Sequence, residues 1–149
     1  MRRTLGRRPR EEAGQALIET ALSLPLVLLL SVSVFEFGRA FQHWQILTNA
    51  AREGARLATL PGTTDEAITS RVQAYLESGR VAAADSAGVG IVRNAEISIG
   101  EDATASASVV TVSYPFQFAV LNPVLRLVDH DTTTGQALTM TVSATMRNE

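Results

Sequence analysis

Apolar and polar positions fall into three regimes along the chain, and each predicts a different kind of element. Thr20 to Phe35 is a run of 16 residues without a charge, bracketed by Glu19 and Glu36. As a helix it rises ~24 Å, short of the ~30 Å hydrocarbon core of a bilayer. Ala16, Leu17 and Ile18 before it, with Phe37 and Gly38 after it, extend the apolar stretch enough to span. The span must then accept Glu19 and Glu36 near its two ends. Past Gly38 the pattern turns amphipathic. Phe37, Phe41, Trp44, Leu47, Ala51 and Ala55 recur at helical spacing, and no Pro occurs between Pro25 and Pro61. One helix is therefore expected from Gln15 to Leu60, about 69 Å long at ~1.5 Å per residue, ended by Pro61-Gly62.

The remaining chain reads as a small α+β unit. Thr63 and Glu66 are spaced as a capping box, with Thr63 at the N-cap. Ile68, Val72, Tyr75 and Leu76 then share one helix face, and Gly79 closes that helix. Arg80 to Gly90, rich in Ala and Gly, reads as a flexible connection. Three segments follow with period-2 alternation: Ala95, Ile97, Ile99; Val110, Val112, Tyr114; and Leu138, Met140, Val142, Ala144, Met146. One polar face per strand predicts an antiparallel sheet covered on one side, with the two helices as the cover. Between the second and third strands, Asn122-Pro123 is placed to start a short helix to Val128. The expected division is a basic leader over 1–14, a membrane segment over 15–38, a helix extension over 39–61 and an α+β domain over 62–149.

Charge orients this arrangement. Five of the 13 Arg (Arg2, Arg3, Arg7, Arg8, Arg10) lie in the first ten residues, on one side of the apolar run only. Such asymmetry argues for a membrane span with a cytoplasmic N-terminus and against the core helix of a soluble protein. A secretory signal peptide shares the basic start and the apolar run. Glu19 at the start of that run and the unbroken helical pattern past Phe37 oppose it.

Composition excludes several kinds of chemistry. There is no Cys and no Lys among the 149 residues, and the two His are at 43 and 130. Disulfides, thiolate metal sites, thiol nucleophiles and Schiff-base lysines are all excluded. Gly88-Val89-Gly90 lacks the third Gly of a dinucleotide fingerprint. Asp129-His130-Asp131 precedes a Thr-rich stretch ending in Gly135 and reads as a polar turn. No Ser stands in a nucleophile elbow. No catalytic residue, metal site, cofactor or small-molecule substrate is expected, which leaves an envelope enzyme as the weakest of the functional readings.

Ala50, Gly54 and Ala58 form a stripe of small residues at i, i+4 and i+8. Such stripes permit close helix approach. The approaching surface is either a helix of another subunit or the chain's own sheet. In the first case a bulky residue at Gly54 harms assembly more than folding.

The segment Gly14–Leu30, then Phe35-Glu36-Phe37-Gly38-Arg39 and Asn49-Ala50-Ala51-Arg52-Glu53-Gly54-Ala55-Arg56, resembles the TadE-like pseudopilin family of the tight-adherence (Tad, Flp pilus) machinery. The resemblance covers roughly residues 14–60. It implies a pilin-like fold and a minor subunit that assists assembly of a Tad-type pilus or secretion system. It also implies an inner-membrane location, with the C-terminal domain outside the cytoplasm. Its implied partners are a prepilin peptidase, other minor pilins and Tad assembly proteins. Cleavage is implied after Gly14, which makes Gln15 the new N-terminus and Glu19 the fifth mature residue. Thr20 stands where major pilins carry an aromatic. The new amine at Gln15 lies one turn from Glu19, and the resemblance gives this pair a role in subunit docking. Without residues 1–14, eight Arg face 13 acids, so no basic nucleic-acid face is expected on the exported part. The competing reading keeps the topology without cleavage: a single-pass anchor presenting a small binding module.

Overall fold

The computed structural model describes residues 9–100, 103–128 and 136–148, with the side chains of 14–100, 103–127 and 136–148. Helix α1 runs from Pro9 to Ala58, a single α-helix of 50 residues with Pro25 inside it. It is followed by α2 (Asp65–Ser78), a 3-10 turn at Ala84–Ser86, β1 (Gly88–Ser98), β2 (Thr104–Phe116), α3 (Leu121–Val128) and β3 (Leu138–Arg147). The strands form one antiparallel sheet in the order β1-β2-β3. Opposed pairs include Ile91 with Val110 in one ladder and Val112 with Val142 in the other. The expected α+β architecture, a long apolar helix, further helices and a three-stranded antiparallel sheet, is what the chain adopts.

The period-2 pattern sets which face of the sheet is covered. Val110, Val112, Tyr114 and Phe116 of β2 are buried, together with Met140 and Val142 of β3. They meet Leu47, Ala50, Ala51 and Ala55 of α1 and Ile68, Val72 and Leu76 of α2 in one core. The opposite face is polar. Thr111 and Ser143 share a hydroxyl hydrogen bond at 2.8 Å, and Ser113 and Thr141 another at 3.3 Å. Such cross-strand pairs each contribute ~0.2–1 kcal/mol and suit a water-facing surface.

Three local expectations need correction. The N-cap of α2 is Thr64, whose Oγ1 accepts from the Ala67 amide at 3.3 Å. Glu66 therefore falls one place short of the position a capping box requires. Arg93 explains the choice: it donates to the Thr63 carbonyl at 2.6 Å and to Asp65 at 2.8 Å, holding Thr63 outside the helix. The stretch read as a flexible connection already contains ordered structure. The turn at Ala84–Ser86 leads into β1 at Gly88, where Gly88 and Gly90 pair with Ser113 and Thr111. Pairing with the central strand β2 outweighs the poor strand propensity of Gly on this edge strand. Helix α1 ends at Ala58, two residues early, where the Leu60 amide donates to the Leu57 carbonyl in a final tight turn. Within β1 the ladder shifts between Val92 and Ala95, with Asn94 at φ +56°. Asn tolerates this left-handed conformation, as a bulge demands.

Burial divides α1 sharply. From Gly14 to Phe35 its side chains are exposed or half-buried, and Glu36 is the first fully buried one. Among the described residues nothing therefore covers the apolar section. Leu17, Leu22, Leu26, Leu30 and Phe35 all stand exposed. A run of this length and composition is a candidate span, and here none of it is buried. Uniformly apolar helix without protein cover matches lipid or another apolar helix as its surroundings.

Candidate functional site

The membrane-side end of the candidate site is simple. Gly14, Gln15 and Glu19 lie on α1 and are exposed. Gly14, Gln15, Ile18, Glu19 and Leu22 line one shallow strip of the helix. Gln15 and Glu19 are four residues apart and hence neighbours on one face. The structure thus brings together the residues expected at a cleavage site and the carboxylate expected to answer the new amine.

The small-residue stripe is placed differently. Ala50, Gly54 and Ala58 are all buried, inside the chain's own core. A Cβ on Gly54 would lie 2.7 Å from Val72 Cγ2 on α2 and 3.1 Å from Val110 Cγ1 on β2. The stripe does pack a helix, but α2 and the sheet are what approach it. Of the two partners open to the sequence, the chain's own domain occupies this surface.

Glu36 is the residue whose role the sequence hides. It is 6% exposed, at the point where α1 passes from its bare section to its packed one. Its Oε1 accepts from the amides of Ala119 at 2.8 Å and Val120 at 3.1 Å, and its Oε2 accepts from Leu121 at 3.3 Å. These amides open α3, so the carboxylate stands at a helix N-terminus, where orphan N–H groups and the helix dipole favour an anion. Arg39, one turn on, comes within 4.0 Å of Glu36 and donates to the Gln117 carbonyl at 2.7 Å. Its guanidinium also lies over the Phe116 ring, 5.3 Å from the centroid. Phe37 meets Phe118 edge to face at 5.5 Å, and Phe118 meets Phe116 at 5.1 Å. The Glu36-Phe37-Gly38-Arg39 step thus fastens the segment between β2 and α3 to the top of the bare helix. The only hint in the sequence is an acidic residue immediately after an apolar run. Its partners lie more than 80 residues away.

An open cleft of about 740 Å³ adjoins this joint. Arg39, His43, Arg80, Tyr114, Phe116 and Arg126 are among its lining residues. Burial and the nearby Arg39 charge hold the His43 imidazole below its ordinary range, so it favours the neutral form. Its Nδ1 is buried without a hydrogen-bond partner among the described residues. The Tyr114 hydroxyl donates to the Ala82 carbonyl at 2.6 Å, and burial pushes that phenol up. No nucleophile and base are brought together here. Among the described residues no group of three or more His, Asp or Glu gathers as a metal would require. Asp129, His130 and Asp131 lie outside the described residues.

One ion-pair cluster ties α1 to α2. Glu53 Oε1 lies 2.9 Å from Arg56 and 3.0 Å from Arg71. Hydrogen bonds from Arg56 and then Arg71 pull the Glu53 carboxyl down to about 2. A carboxyl depressed by folding stabilises the fold above its unfolded value near 4.5, and that contribution disappears as pH falls toward 2. The arginines are exposed, so solvent screening limits the effect to less than ~1 kcal/mol. Glu53→Gln is expected to flatten the stability profile between these two pH values, read by denaturant melts across the acid range. Identical profiles for the two proteins would show that the cluster contributes nothing.

The class defined by these features is an α+β chain whose first helix, bare among the described residues, is long and apolar enough to cross a membrane once, which suggests a single-pass anchor. Residues 14–56 match the model of the family described as TadE-like protein. The family resemblance read from the sequence therefore holds over the bare part of α1 and all but the last two residues of its packed extension. No curated protein and no solved structure matches the chain.

Proposed function

We propose that the protein is a minor, pilin-like subunit that assists assembly of a Tad/Flp-type pilus or secretion system, and that it has no enzymatic role. The observation that carries this reading is an overlap: the family match, residues 14–56, takes in the exposed apolar stretch up to Phe35 and the Glu36 joint that follows it. A surface of exposed Leu and Val with no cover among the described residues suits lateral packing against the helices of other pilin-like subunits in the inner membrane. The five Arg before the span hold the N-terminus in the cytoplasm, with the sheet domain on the far side.

In this reading a prepilin peptidase cuts between Gly14 and Gln15. The bond lies within α1, and Gly is the residue at which a helix unwinds most cheaply, by ~1 kcal/mol relative to Ala. Cleavage removes the basic leader and leaves a positive amine one turn from Glu19. A carboxylate near the bilayer costs several kcal/mol unless it is paired or hydrated. The amine of its own chain or of a neighbour supplies that pairing. Mass spectrometry of membrane-extracted protein is expected to show a chain that begins at Gln15. A chain that still begins at Met1 favours the uncleaved anchor that presents its sheet domain as a binding module.

A further inference from the structure

The geometry points to a second membrane contact: α3 lies on the surface of the bilayer that α1 crosses, with its apolar face inserted at the headgroup level. This rests on the single-pass anchor described above. Leu121, Val124 and Leu125 recur at i, i+3 and i+4, so they form one face of the helix. Asn122, Pro123 and Arg126 occupy the other side and line the cleft. Leu125 is exposed, and Leu127, on the flank of the apolar face, is 77% exposed. Val120, just before the helix, is exposed as well. A short, strongly amphipathic helix with Leu121 and Val124 half-buried and Leu125 and Leu127 in the open is built for an interface.

The depth of α3 is fixed by Glu36. That carboxylate binds the amides of Ala119, Val120 and Leu121, so the start of α3 sits at the level where α1 leaves its bare section. Eight residues of helix extend ~12 Å, so no part of α3 lies far from that level. A second observation marks the same zone. Phe35, Phe37, Phe41 and Trp44 of α1 are all exposed, one just before Glu36 and three within the eight residues after it. Exposed aromatics at the end of a span are the belt found where a bilayer meets water. The bilayer is thus the occupant already present at the height where α3 stands.

The chain has no Cys, so each introduced thiol is unique. Full-length Leu127→Cys, labelled with an environment-sensitive fluorophore, is reconstituted into phosphatidylethanolamine–phosphatidylglycerol vesicles with and without lipids carrying a shallow nitroxide. Leu28→Cys, in the middle of the span, is read instead with lipids whose nitroxide sits deep in the acyl chain, and Leu60→Cys reports on the chain just past the far end of α1, ~33 Å beyond Glu36 along the helix. The shallow nitroxide is expected to remove about half the emission at Leu127, as burial 5–10 Å deep requires, and to leave Leu60 unchanged. Leu125→Cys is expected to behave as Leu127→Cys does, guarding against a local effect of one label. A water-like, unquenched signal at both positions with Leu28 quenched overturns the inference and leaves the anchor intact. An unquenched Leu28 overturns the anchor, and the inference with it.

Discussion

Gly54→Leu is expected to unfold the sheet domain rather than to spare it. The position has no room for a side chain, because the first added carbon already lies 2.7 Å from Val72 Cγ2 and 3.1 Å from Val110 Cγ1. Both neighbours are β-branched and buried, one in the middle of α2 and one in the central strand. Neither can rotate away without meeting the rest of the core. Overpacking of a closed core costs ~1–3 kcal/mol, and occasionally more when backbone must move. Leu adds four carbons at the junction of α1, α2 and β2, so the upper end of that range, ~3 kcal/mol, is expected. For a domain of this size that lowers the melting midpoint by on the order of 15 °C. Thermal melts in detergent, followed by circular dichroism, measure it. An unchanged midpoint with lost co-purification of other pilus proteins would return Gly54 to an intersubunit surface.

Glu36→Ala is expected to release α3. The substitution removes three charge-assisted hydrogen bonds at once and takes the anion from the helix N-terminus. Ala119 and Val120 are exposed, so water replaces part of what is lost. The cost is therefore nearer that of a lost cap and charged hydrogen bond, ~2 kcal/mol, than that of several buried orphan amides. It falls locally, on an eight-residue helix whose amide of Val124 bonds only one turn back, to the Val120 carbonyl. Hydrogen exchange over residues 117–128 is expected to quicken by ~30-fold, which corresponds to that energy. Glu36→Gln, which keeps one acceptor oxygen and loses the charge, falls between. Unaltered exchange in Glu36→Ala would mean that α3 is held by its other contacts and that the carboxylate is incidental.

These two positions also show how far the sequence could be read. Periodicity exposed what is local. The apolar run, the Ile68–Leu76 face and the alternation in β2 and β3 each carry their structure within a few residues. The Ala50–Ala58 stripe announced a close approach but not the approaching surface, since α2 and β2 offer the same Val and Ile as another subunit would. Glu36 looked like a charge tolerated at a membrane edge because its partners are 83 to 85 residues away. The α2 cap slipped by one because Thr63 and Thr64 are chemically equivalent there, and Arg93, distant in sequence, separates them. The start of β1 was hidden by glycines whose strand pairing depends on Thr111 and Ser113. At the other end of the chain, Gly14, Gln15 and Glu19 belong to a contiguous motif, so the expectation of cleavage and charge pairing there rests on the sequence, to which the structure adds that Gln15 and Glu19 lie on one helix.

The central claim is that this chain serves pilus assembly through its membrane helix, with Glu19 answering the amine at Gln15. At about 4 Å, unit charges interact by ~4 kcal/mol at an intermediate dielectric, far more than the neutral amide of Gln can return. The direct measurement is surface piliation, counted by electron microscopy, in a strain deleted for this chain and complemented with either the natural protein or Glu19→Gln. Pili are expected to vanish on deletion and return with the natural chain. They are expected to stay absent or sparse with Glu19→Gln, although that protein still inserts and begins at Gln15. Normal piliation in the deletion strain would contradict the assembly role, and full rescue by Glu19→Gln would contradict the charge pairing.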